Sequence, residues 1–113
     1  MHFGPALRRA RQLSGVSGYA LAKYLGLTKH RLYGVETRDP RPFDDTRIET
    51  IAAHLEVDPV PLLLAAARDR GHVFIVVTGE TARDRLAVHL RRAWGALSEE
   101  QVQAIGAIVG RAA

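Results

Sequence analysis

A mostly α-helical fold is predicted for this chain: five helices over residues 1–70, then a short β-strand and two further helices over residues 71–113. Three observations predict it. Apolar residues recur at three- and four-residue intervals through most of the sequence. Ser, Thr or Asp stands where several of these runs begin, and Gly where several end. One β-branched and aromatic run, residues 72–77 (HVFIVV), breaks the pattern between Gly71 and Thr78-Gly79.

The first helix is expected over Pro5 to Ser14. The second starts at Ser17, whose hydroxyl can cap it, and carries Ala20, Leu21, Tyr24 and Leu25 on a face expected to be buried. Ala22 is small enough for another helix to cross closely, Gly26 can take the positive φ that ends the helix, and Leu27 fills the turn. Thr28 is a cap for the third helix, over about 28–36. There Leu32 and Val35 form an inward pair at i, i+3 and leave Lys29, His30, Arg31, Tyr33 and Gly34 on other faces. Asp44 and Asp45 read as N-terminal caps of the next helix.

Beyond Gly71, the apolar run at Val73, Phe74, Ile75, Val76 and Val77 has the length and composition of a strand, yet no second convincing strand exists to pair with it. Pairing with its own copy across a two-fold axis is one reading; a buried linker or a helix continuation are the others. A helix from Glu80 to Trp94 puts Ala82, Leu86, Leu90 and Ala93/Trp94 along one stripe. Gly95 marks a turn, and Ser98-Glu-Glu-Gln101 reads as a capping box before Val102, Ile105, Ile108, Val109 and Ala112. Leu86, Leu90, Trp94, Ile105 and Ile108, with the strand, are the candidate dimerisation residues, because an apolar appendage with no chemistry of its own more often joins subunits than holds a ligand.

Composition narrows the function classes. At 113 residues and 47% hydrophobic, the chain can bury a real core and is not a disordered tail. Its net charge of +4 is unevenly spread. Residues 1–41 hold eight Lys/Arg against Glu36 and Asp39, whereas residues 42–113 hold eight against ten acids. The absence of cysteine excludes disulfides, a thiol nucleophile and a cysteine zinc site, and suits a reducing compartment. The start MHFGPALRRARQ has no apolar signal core, and the apolar run from Val60 to Ala67 is too short to span a bilayer, so a cytoplasmic protein with no membrane association is expected.

Several of these residues occur in the order found in the Cro/C1 (XRE) family of bacterial and phage helix-turn-helix regulators, which the chain resembles. The matching positions are Leu21-Ala22, Leu25-Gly26-Leu27-Thr28, Leu32, Val35 and Glu36. The likeness extends from the first helix through Ile48, Ile51, Ala52, Leu55, Val57-Asp58-Pro59 and Leu62-Leu63 to about Arg70. Gly18 and Gly34 depart from it, standing where the family often has a phosphate-contacting glutamine and a third base-contacting side chain.

The resemblance implies a homodimer on an inverted-repeat duplex, with the third helix in the major groove and transcription, more often repression, as the output. On that reading Lys29 and His30 face base edges, and Arg31 reaches a base or a phosphate. Thr28 lies at the helix start, Tyr33 meets a phosphate or a thymine methyl, and Gly34 lets the backbone approach. Lys23, Arg38 and Arg41 are phosphate candidates. Arg11 and Glu36 resemble a family pair that ties the first helix to the end of the third, a structural role they would share with Ala22, Gly26, Leu32 and Val35.

Catalysis is not expected, since the five histidines lack metal-ligand spacing and there is no phosphate-cradling glycine loop or serine-nucleophile elbow. No cofactor is expected either. The alternative is an antitoxin-like or adaptor module whose C-terminal region binds a protein partner.

Overall fold

In the computed structural model, which describes every residue except Pro40, Phe74, Val76, Val77, Thr78, Glu80 and Ala113, helices α1 (Phe3–Leu13), α2 (Gly18–Leu25), α3 (Lys29–Thr37), α4 (Asp45–Leu55) and α5 (Val60–Arg70) follow one another through short turns. Their ends are set by local chemistry. Ser17 accepts a hydrogen bond from the Ala20 amide at 3.0 Å, Thr28 from Arg31 at 3.0 Å, and Asp44 from Arg47 at 2.8 Å, satisfying donors that a helix start leaves open. At the α2 end Gly26 takes φ 70°, and the Leu27 amide reaches back to the Ala22 carbonyl at 2.8 Å.

Residues Met1–Val73 form one of two compact units. Its core is built from Phe3, Leu7, Leu21, Leu32, Ile48 and Ile51, joined by Val35, Leu55, Leu62 and the small Ala22, Ala52, Ala65 and Ala66. Each of the larger side chains contributes roughly 1.5–3 kcal/mol by leaving water. α1 packs on α3 and α5, α2 on α3, and α4 on α5. The α1–α3 contact is close enough to require glycine. A Cβ on Gly4 would lie 2.5 Å from the Val35 carbonyl oxygen and 2.8 Å from that of Glu36.

The buried side of α2 differs from the expected one. Leu21 and Ala22 are buried and Leu25 is partly so, whereas Ala20 and Tyr24 are exposed. The crossing with α3 draws the 21–22 edge inward, and Tyr24 instead stacks on His54 of α4, ring centroids 3.7 Å apart.

The second unit, Phe74–Ala113, contains α6 (Ala82–Ala93), a single 3₁₀ turn at Trp94–Ala96, and α7 (Glu99–Ala112). Both helices start with a capping box. Thr81 and Asp84 exchange hydrogen bonds at the first; at the second, the Ser98 amide donates to Gln101 Oε1 at 2.9 Å and the Gln101 amide to Ser98 Oγ at 3.1 Å.

The expected strand is not seen among the described residues. His72, Val73 and Ile75 have no regular secondary structure, while Phe74, Val76 and Val77 lie outside the described residues. A strand is held by a ladder to a neighbour, and the described residues contain no other strand to supply one. No helix of the described residues is long and apolar enough to cross a membrane.

Candidate nucleic-acid interface

The orientation of α3 is fixed from beneath. Leu32, Val35 and Glu36 are its buried residues, and Glu36 enters the core as a carboxylate already paired. Arg11 Nε lies 2.9 Å from Glu36 Oε2 and Arg11 Nη2 3.0 Å from Oε1, a two-pronged ion pair from α1 to the last turn of α3. Arg11 Nη1 also donates to the Val16 carbonyl at 3.0 Å, so one guanidinium binds α1, the approach to α2 and α3 together. Hydrogen bonding to Glu36 holds the Arg11 guanidinium above its usual pKa, outweighing the opposing effect of burial.

The opposite side of α3 is open. Lys29, His30, Arg31, Tyr33 and Thr37 are exposed, as are Thr28 at the cap, Lys23 on α2 and Arg38 and Arg41 beyond α3. Gly34 is half-buried, and a Cβ there would meet only Arg38 Nη2, at 3.8 Å, so the helix presents bare backbone between His30 and Arg38. The Arg38 guanidinium lies 5.8 Å from the Tyr33 ring centroid, within cation–π range.

Among the described residues, no carboxylate is within ion-pair distance of Lys23, Lys29, Arg31 or Arg38. Arg41 differs. Its backbone amide donates to Asp39 Oδ1 at 2.9 Å and its Nε to the same oxygen at 3.2 Å. That amide, and then the guanidinium, hold the Asp39 carboxyl below its usual value. Arg41 is therefore charge-compensated, Arg31 lies within coulombic range of the same Asp39, and Lys29 and Arg38 remain available to an external anion.

The segment following α3 is anchored by contacts that sequence reading missed. Phe43 meets Phe3 edge-on at 6.0 Å, the Arg47 guanidinium lies 5.4 Å from the Phe43 ring centroid, and Arg70 Nη2 donates to the Phe43 carbonyl. Arg70 Nη1 also pairs with Asp45 at 2.9 Å. These partners come from α1, α4 and the end of α5, so no local spacing announces them.

The candidate dimerisation residues belong to the other unit or to the segment leading into it. Val73, Ile75, Leu86, Trp94 and Ile108 are exposed, Leu90 and Ile105 are half-buried, and Phe74, Val76 and Val77 lie outside the described residues.

Comparison with family models, with curated proteins and with solved structures gives no match to this chain.

Proposed function

We propose that the protein is a Cro/C1-type, sequence-specific DNA-binding regulator, acting as a homodimer on an inverted-repeat duplex with α3 in the major groove. The observation that carries this reading is the exposed face of α3. It bears Lys29, His30, Arg31 and Tyr33 with no carboxylate within ion-pair distance among the described residues, on a helix held by the Arg11–Glu36 pair and the Leu32–Val35 packing. Lys29 and His30 supply donors to base edges, and Lys23 and Arg38 neutralise phosphates. The output is transcriptional control, with repression the family-based expectation, in the cytoplasm at the nucleoid; no catalytic step is assigned to the chain.

Selection of bound duplexes from a random pool at physiological salt tests this. Enrichment of an inverted repeat with half-sites about one helical turn apart is the expected result. Folded protein that enriches nothing overturns the reading. In that case the exposed Leu86, Trp94 and Ile108 favour the second one, an antitoxin-like or adaptor module whose C-terminal region binds a protein, with only weak, sequence-independent DNA binding.

A further inference from the structure

α6 carries four arginines, Arg83, Arg85, Arg91 and Arg92, and one acid, Asp84, which is buried and closes the capping box with Thr81. All four arginines are exposed, and among the described residues no carboxylate lies within ion-pair distance of any of them. Arg85, His89 and Arg92 stand at i, i+4 and i+7 of one regular helix, so they share a face, and His89 is exposed with them.

Local helix chemistry does not account for this stripe. Arg91 and Arg92 complement the negative end of the helix dipole, but Arg85 lies just inside the positive end, where a cation is disfavoured. A basic face that works against its own helix end, with no acid beside it, is suited to an anion from outside. The chemistry of the stripe selects among anions. Guanidinium forks match phosphate oxygens two at a time. A lipid surface fits poorly, because Arg83 stands three residues before Leu86 and seven before Leu90 and shares their side of α6, whereas a helix lying in a bilayer surface keeps charge off its apolar side. The phosphates of a nucleic-acid backbone fit both observations.

We propose that Arg85 and Arg92, with His89 between them as a hydrogen-bond donor, form a second phosphate-binding surface for duplex DNA, in addition to α3. The choice of duplex rests on the DNA-binding reading. The surface adds affinity that is independent of sequence and steepens its dependence on salt.

The experiment uses the full chain and a duplex of arbitrary sequence about three helical turns long, so that base preference plays no part. Affinity is titrated across salt for the parent and three double variants: Arg85→Gln with Arg92→Gln, Arg83→Gln with Arg91→Gln, and Lys29→Gln with Arg38→Gln. The first two remove equal charge at comparable points along α6, one on the stripe and one off it. Glutamine keeps helix propensity, and circular dichroism verifies that each variant stays helical. Removing Arg85 and Arg92 is expected to reduce the log–log salt slope by about two units, the loss of two phosphate contacts, and removing Arg83 and Arg91 to leave it nearly unchanged. Binding to phosphatidylserine vesicles is measured alongside.

Equal losses from the two α6 variants would reflect overall charge and overturn the stripe. An unchanged slope without Arg85 and Arg92 also overturns it, and a reduced slope in the Lys29 and Arg38 variant then leaves the DNA reading standing. The reverse pattern, a loss from Arg85 and Arg92 with none from Lys29 and Arg38, supports the stripe and counts against α3 instead. Vesicle binding that disappears with Arg85 and Arg92 while the duplex slope holds overturns the proposal in favour of a lipid surface. A parent that binds no duplex even at low salt overturns both readings.

Discussion

Arg11 and Glu36 are joined by two hydrogen bonds of 2.9 and 3.0 Å, with side chains only 13% and 4% exposed, and the pair locks the end of α3 to α1. Its consequence is asymmetric. Truncating Arg11→Met strands a buried carboxylate and is expected to cost about 3–5 kcal/mol in urea unfolding, whereas Arg11→Met with Glu36→Leu costs less than the single change. A single variant with unchanged stability would remove the pair from the account of how α3 is held.

Gly4 bears on the same helix from a different direction. Gly4→Ala places a methyl group 2.5 Å from the Val35 carbonyl oxygen, and the separation of α1 from α3 must grow to accommodate it. A loss of about 1–3 kcal/mol is expected from thermal melting, typical of overpacking, together with weaker duplex binding at constant salt. A melt identical to the parent's would mean the α1–α3 contact yields freely.

Two helix ends should respond oppositely to substitution. Glu56 closes α4 at φ 57° and is the only positive-φ non-glycine among the described residues, while Gly26 closes α2 at φ 70°. Glu56→Gly should raise stability by a few tenths to about 1 kcal/mol, and Gly26→Ala should lower it by about 1 kcal/mol. Denaturant midpoints measure both, and the two signs form the prediction.

Asp69 makes folding sensitive to acid. Its carboxylate accepts from the Phe3 amide at 2.9 Å and meets His2 Nδ1 at 2.7 Å, and it is held below its usual pKa chiefly by the Phe3 amide. The ionised group therefore stabilises the fold above the unfolded carboxyl value of about 3.9, and that contribution is lost as pH falls through the depressed folded value. Asp69→Ala should cost about 1 kcal/mol at pH 7, the worth of a helix cap. It should also flatten the acid limb of the stability curve; an unaltered limb would assign it to other carboxylates.

The proposed DNA contacts should separate by their salt dependence. His30→Ala should relax sequence preference, with about 1–3 kcal/mol less discrimination at the bases it is proposed to read. Arg38→Ala should weaken all duplexes alike and reduce the log–log salt slope by about one unit. Titrations of the selected duplex and a scrambled one across salt distinguish the two, and equal effects of both variants on both duplexes would contradict the division of roles.

The exposed face of α3 was legible because Thr28, Leu32 and Val35 announce its start and its inward side within one short window. The helical class and the capping box at Ser98 were legible for the same reason, since caps, turns and apolar periodicity act over three or four residues. Thr81–Asp84 carries a weaker form of the same signal, with an aspartate where such boxes usually have Glu or Gln.

Contacts between distant segments were not legible. Asp69 reaches the first helix from 66 residues away, Tyr24 leaves the expected core to stack on His54, and Arg70 holds the segment beyond α3. The apolar run at Val73–Val77 has the composition of a strand, and composition registers β preference but not the neighbouring ladder that realises it. The sequence by itself determined approximately where helices begin and end and that most carry an apolar side, because those preferences are local. Only the tertiary structure decided which apolar face is buried and which charges are compensated, because both depend on what the rest of the chain brings alongside.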